Sequence, residues 1–263
     1  MMPSLLRDLR DSFASPSYWA YSTWLEIVAK YRRSRLGLVW AMVPSIAYIW
    51  GMGAFFASMR DLPLSVMVPH VALGTVVFRL ITTTITESSG VYGSHQSFIL
   101  DNRIRLTDLL LRTLSKGLFY FVVAIPVVVA AMLIADDFVW WALPGAFVAF
   151  LLVLVTTLWM SVLMSLLGAR FSDAQELIGS IMLFAYVLTP IIWLKNDMPA
   201  TTLRGDFMRI NPMFHLVEVL RAPLLGEAIE PLSIVYIAVM TPLGVIAAAL
   251  AYRLLARKVP IWI

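Results

Sequence analysis

The sequence predicts an all-α, polytopic membrane protein with six transmembrane helices, an N-terminal amphipathic interface helix and short outer re-entrant helices before the last span. Three observations carry this. Hydrophobic residues make up 60% of the 263 and charged residues only 14%, with a mean hydropathy of +0.85, far from a soluble composition. The apolar residues gather into runs able to cross the ~30 Å of bilayer hydrocarbon, which takes ~20 helical residues. The segments outside those runs hold all the charged residues but Arg79.

Residues 1–35 form a polar N-terminal unit and residues 36–263 the membrane domain. Ser15 and Pro16 supply a cap and a first helical position, and Tyr18, Tyr21, Leu25 and Val28 recur on one face beside Trp19 and Trp24. A basic run, Lys30 to Arg35, follows at once. The pattern predicts a helix over 15–35 that lies on the cytoplasmic interface and feeds the first span. Ordinary aromatic anchoring in the interfacial belt is the plainer reading of the same residues.

Six apolar runs come next: Leu36–Met59, Val66–Thr86, Gly117–Ala135, Phe138–Ala169, Leu177–Leu194 and Leu232–Tyr252. The second alone is interrupted by a charge, Arg79, and the fourth is too long to cross untilted. Residues 87–116 hold a Gly/Ser-rich turn and then Phe98–Lys116, where Ile104, Leu106, Leu109 and Leu110 mix with Asp101, Arg103, Arg105, Asp108 and Arg112. Thirty residues exceed what a connector needs, which leaves a cytoplasmic docking segment and a merely solvated charge run both open. In the outer segment 195–231, Asn211-Pro212 starts a helix with Met213, Leu216, Val217, Leu220 and Leu224 on one face. Glu218 and Arg221 fall opposite, so this helix is expected to dip its apolar face into the outer leaflet or the protein without crossing.

Orientation follows from the basic residues. With the N-terminus inside, Arg7, Arg10, Lys30, Arg32, Arg33, Arg35, Arg103, Arg105, Arg112, Lys116, Arg170, Arg253, Arg257 and Lys258 are cytoplasmic. Only Arg60, Lys195, Arg204, Arg209 and Arg221 lie outside, so the positive-inside rule places both termini in the cytoplasm. The first apolar run is too long for a signal-peptide core, and no cleavage is expected.

The same residues exclude several chemistries. With no cysteine there is no disulfide, thiolate metal site or cysteine nucleophile. His70, His95 and His215 are scattered, and no span centre carries Asp or Glu, so neither a catalytic cluster nor a metal set is expected. The missing intramembrane carboxylates also weigh against an ion-coupled carrier. None of the 13 glycines is followed by lysine, so a phosphate-cradling loop is lacking and any ATP motor must be another polypeptide. The net charge of +4 is spread over membrane-flanking loops and gives no reason to expect nucleic acid. Arg79 stands out, because a mid-membrane arginine costs at least about 2.5–3.5 kcal/mol and must face protein or a wet path. Snorkelling towards the cytoplasmic end, or pairing with Glu87, is the structural alternative. Tyr48, Trp50, Phe55 and Phe56 in the first span, with Trp140, Trp141 and Trp193 at outer ends, are mainly core and belt, though rings of this kind also stack on sugars.

The run from Tyr31 through Arg32-Arg33-Ser34-Arg35-Leu36-Gly37 to Trp40 resembles the start of the membrane subunits of polysaccharide-exporting ABC transporters. Gly74 to Phe78, the segment Phe98 to Arg112, Arg170-Phe171-Ser172-Asp173 and Asn211-Pro212 to Arg221 are also similar, in the same order on a six-span layout. The chain departs from that pattern at Phe78-Arg79, where an aromatic is usually followed by apolar residues, and at Arg103-Ile104-Arg105, where a proline is common. The resemblance implies a permease of the bacterial cytoplasmic (inner) membrane that works as a homodimer with two separate ATPase subunits and exports a lipid-linked glycan such as O-antigen, capsule or teichoic acid. ATP and magnesium are then expected on the partner and no cofactor in this chain. A drug or small-lipid exporter of the same architecture is the alternative. On this resemblance the candidates for the substrate path are Arg79, Tyr48, Phe55, Phe78 and Trp193. Those for the ATPase contact are Phe98, Asp101, Arg103, Arg105, Asp108 and Arg112. The helix Tyr18 to Tyr31 would lie on the membrane nearby, and Met198 to Leu225 would shape the exit.

Overall fold

A computed structural model describes residues 4–101 and 104–263. All regular elements among the described residues are helical: α1 (Leu5–Ala14), α2 (Ser17–Tyr31), α3 (Gly37–Met59), α4 (Leu64–Ser94), α5 (Gln96–Leu100), α6 (Leu106–Met132), α7 (Leu143–Arg170), α8 (Ala174–Leu188), α9 (Leu203–Ile210), α10 (Pro212–Leu224) and α11 (Pro231–Leu255). Five of them, α3, α4, α6, α7 and α11, are long and apolar enough to cross a membrane.

The fifth apolar run differs from expectation. Its helix, α8, has 15 residues and is roughly 22 Å long, short of a full crossing. Pro190 is the cause, because proline pushes the residue before it out of the helical region, and Thr189 is extended (φ −86°, ψ 131°). Side chains from distant segments hold the helix end and the chain beyond it. Asn211 Nδ2 donates to Ala185 O (3.1 Å) and Thr189 Oγ1 (2.8 Å), and His70 Nε2 reaches Pro190 O (3.1 Å) and Trp193 O (3.0 Å). Arg221 also donates to Pro190 O. Broken backbone at membrane depth is tolerated only with such partners.

This corrects the expected placement of Glu218 and Arg221. Helix α10 is buried on nearly all sides, with Glu218 and Arg221 each 1% exposed. Glu218 accepts from Ser233 Oγ and Lys195 Nζ, so the polar face is turned onto the unwound chain and the start of α11 instead of water.

Helix α4 is the hub. Of its most apolar stretch 72% is buried, against 22–28% for the other four long helices, and it packs on α3, α6, α7, α8 and α10. Chain entry is set by Gly37, whose positive φ (+53°) turns α2 into α3 where a side chain would be strained. Helix α3 changes winding as it proceeds, from a 3₁₀ turn at Gly37–Ala41 to a π-helical stretch at Ala47–Met52.

A second core joins the two chain ends. Leu5 packs with Val91, Tyr92, Leu109, Leu110, Leu166, Tyr252 and Val259. Tyr252 Oη donates to Asp8 (2.9 Å), and the Ser12 and Thr107 hydroxyls are 2.7 Å apart. Helix α1 stands out little in the sequence, because Leu5, Leu6, Leu9 and Phe13 are set in a charged run, and of these only Leu5 and Leu9 join this core.

Candidate substrate cavity

Helices α3, α4 and α8 line an open-sided cavity of about 480 Å³. Pro44, Ser45 and Tyr48 line it from α3, Thr75, Phe78, Arg79 and Thr82 from α4, and Gly179, Met182, Leu183 and Tyr186 from α8. The π-helical stretch of α3 carries Tyr48 to this wall, and such insertions in helices are frequent at functional sites. Tyr186 is the centre of an aromatic corner, edge-on to Tyr48 (6.3 Å) and Phe78 (5.3 Å). Two polar atoms of this lining, Thr75 Oγ1 and Tyr186 Oη, are buried without a hydrogen-bond partner. An apolar wall with a few unpaired polar groups is the usual build of a ligand site.

Arg79 supplies the charge. Among the described residues no carboxylate pairs with it, and its guanidinium lies 5.7 Å from the centre of the Tyr120 ring. Glu87, the alternative partner, is instead 3.0 Å from Lys116. The structure therefore brings Tyr48, Phe78 and Arg79 together on one cavity. It does not bring Phe55 or Trp193 there. Phe55 is 60% exposed and packs edge-on against Phe56 (5.3 Å). Trp193 is buried with Met208 and Phe214, its indole donating to Val187 O (3.2 Å). Ring type alone does not separate a path from packing, and Thr75 and Tyr186 were missed because single polar atoms in an apolar span give no sequence signal.

The segment expected to meet an ATPase is divided. Phe98, Asp101 and Arg105 are exposed, and Arg105 also donates to Asp11 O (3.2 Å). Asp108 is buried and caps α6 through the Arg105 amide (3.0 Å). Arg112 turns inward to Glu26 on α2 (2.7 Å) and to His95 Nε2 (2.5 Å). Arg103 lies outside the described residues. Glu26 also binds Lys116 (2.8 Å), which ties α2, α4 and α6 into one ionic clasp. Burial opposes the Glu26 charge, but Lys116 and Arg112 together hold its carboxyl below the ordinary value.

His95 closes this clasp. Its Nδ1–H donates to Val91 O (2.9 Å), which leaves Nε2 as the acceptor for Arg112. Burial and the Arg112 guanidinium hold its pKa below the usual value, against the pull of the Val91 carbonyl and Glu26. The neutral ring is thus the stabilising form. Its contribution is complete above the unfolded value of about 6.5 and is lost as pH falls from there through the lowered folded value. The melting temperature of the protein relative to that of His95→Gln is therefore expected to fall between about pH 7.5 and 5.5. Parallel melting curves over that range would show that His95 plays no such part.

The family model described as ABC-2 type transporter matches residues 18–225, from α2 to the end of α10. No curated protein sequence matched the chain significantly. Permeases of this family work with a separate ATPase subunit. The match covers most of the chain and agrees with a bundle of long apolar helices around α4, and on this ground the chain belongs to the ABC-2 type transporters, as a multi-pass membrane permease subunit of an ABC transporter.

Proposed function

We propose that this permease exports a lipid-linked polysaccharide across the bacterial cytoplasmic membrane, working as a homodimer with two separate ATPase subunits and with both termini in the cytoplasm. One observation carries the reading: a membrane-level cavity that combines an aromatic corner, Tyr48, Phe78 and Tyr186, with an arginine lacking any carboxylate partner among the described residues. Aromatic faces suit pyranose rings, and a guanidinium suits the phosphate of the lipid link through paired, charge-assisted hydrogen bonds. The packing of Leu5 and Asp8 against Tyr252 supports the topology, because a chain whose ends meet crosses an even number of times. Five long helices then need a sixth passage, which α8 and the non-helical stretch to Leu194 would complete. On this reading the exposed part of residues 96–105, with Phe98, Asp101 and Arg105, meets the ATPase.

The test is export in proteoliposomes with the partner ATPase. Arg79→Lys is expected to keep part of the export, since a point charge remains. Arg79→Gln should lose it at least ~10-fold, the worth of roughly 1.4 kcal/mol, with melting temperature and basal ATPase activity unchanged. Normal export by Arg79→Gln would overturn the proposal. Export of an uncharged drug in place of the glycan would favour the alternative cargo.

A further inference from the structure

One aromatic ring in the structure carries two cations. Lys30 Nζ, at the end of the interface helix α2, lies 5.5 Å from the centre of the Tyr120 ring and donates to its hydroxyl (3.2 Å). Arg79, in the cavity wall, lies 5.7 Å from the same centre. The two charges are therefore at most about 11 Å apart, within the reach of a phosphate or diphosphate group between them. The nearby carboxylates are taken: Glu26, one turn before Lys30, holds Arg112 and Lys116, and Glu87 holds Lys116. Arg112, Lys116 and Tyr120 recur every four residues along one face of α6, so the acids are neutralised at one end of that face, while at the other Lys30 and Arg79 pair with no carboxylate among the described residues. A ring face offsets only ~0.5–2 kcal/mol for Arg79, Lys30 lies by the hydroxyl edge of the same ring, and like charges this close repel. An anion at this position removes that repulsion. The hydrogen bond to Tyr120 raises the Lys30 pKa and keeps the ammonium charged. Arg79 also links the two spaces, since it lines the large cavity and the narrow crevice beside Tyr120.

We propose that Lys30, Tyr120 and Arg79 form an entry station that takes the phosphate of a lipid headgroup at the membrane interface and passes it to the cavity. The inference rests on the export reading above, because it assumes that Arg79 faces the passage.

The purified permease in nanodiscs is titrated with three probes: a polyprenyl phosphate, phosphatidylglycerol and inorganic phosphate. The polyprenyl phosphate is expected to bind, and Lys30→Gln and Tyr120→Ala should each weaken it about tenfold, or ~1.4 kcal/mol. Lys30→Arg should restore most of the affinity, and Arg33→Gln, an exposed neighbour on the basic run, should leave it unchanged. Equal binding of phosphatidylglycerol would assign the station to bulk anionic lipid and overturn its role in cargo entry, and so would equal binding of inorganic phosphate. Wild-type affinity in Lys30→Gln would overturn the station itself. If that result came with lost export in Arg79→Gln, the station alone would fail. Normal export in Arg79→Gln would fail the underlying reading.

Discussion

Gly168→Ala is expected to lower the melting temperature of the permease in detergent by roughly 6–12 °C and to cut its monodisperse yield, an effect of ~3 kcal/mol. A methyl group at this position would overlap the Ser89 carbonyl oxygen and stand 2.7 Å from the Ser89 carbonyl carbon. Both are backbone atoms, so relief requires α4 and α7 to separate instead of a side chain swinging away. That contact matters because α4 is the hub on which α3, α6, α7, α8 and α10 pack, and α7 in turn carries α11. In a bilayer no hydrophobic force holds helices together, and close approach through small residues supplies the packing instead. The α7 face that reaches α4 is built this way, with buried Thr157, Ser161, Ser165 and Ala169 around the glycine. Gly145→Ala, near the start of the same helix, meets nothing within 4 Å and should melt like the parent. A Gly168→Ala protein that melts within a degree or two of the parent would show that α4 and α7 do not meet this closely.

That stripe of Thr, Ser and Gly also marks how far the sequence could be read. Hydropathy places the long helices because each must satisfy its own backbone in lipid, and the spans beginning at Leu36, Val66, Gly117, Phe138 and Leu232 all correspond to observed helices. Which helix lies in the centre is a matter of faces, and hydropathy averages those away. The small-residue stripe on α7 and the charge on α4 were the available signals for it. The α8 break at Thr189-Pro190 was visible as a proline, but its tolerance depends on Asn211, His70 and Arg221, which come from distant segments. For the same reason Glu218 and Arg221 read as a solvated face although both are buried. At the cavity the lone Arg79 was legible as an uncompensated charge, whereas Tyr186 needed the fold to set its ring between Tyr48 and Phe78.

Arg221→Met is expected to destabilise the permease about as strongly as Gly168→Ala. Arg221 donates to Pro190 O and lies 3.2 Å from His70 Nε2, inside an environment closed to solvent. The donating tautomer of His70 is engaged by the Pro190 and Trp193 carbonyls, so Arg221 and His70 together hold the non-helical segment that leaves α8. Gly74 leaves room for the guanidinium, since a methyl group there would stand 3.2 Å from it. Methionine roughly conserves the volume but donates nothing, which leaves the buried Pro190 carbonyl one partner short at ~1–3 kcal/mol. It also removes the positive charge that acts on Glu227 and, behind it, the buried Glu218, and breaking a buried charge arrangement costs ~3–5 kcal/mol when one member is left behind. Lys195 remains 3.3 Å from Glu218 and compensates part of this, so the net expectation is ~3 kcal/mol, or roughly 6–12 °C in melting temperature. Arg221→Lys should fall between the two, because the charge stays but one ammonium cannot reproduce the planar fork. Thermal melts beside export assays separate the roles. If Arg221→Met melts like the parent yet fails to export, Arg221 belongs to the transport path; coincident loss of stability and export is the signature of a residue that holds the broken helix in place.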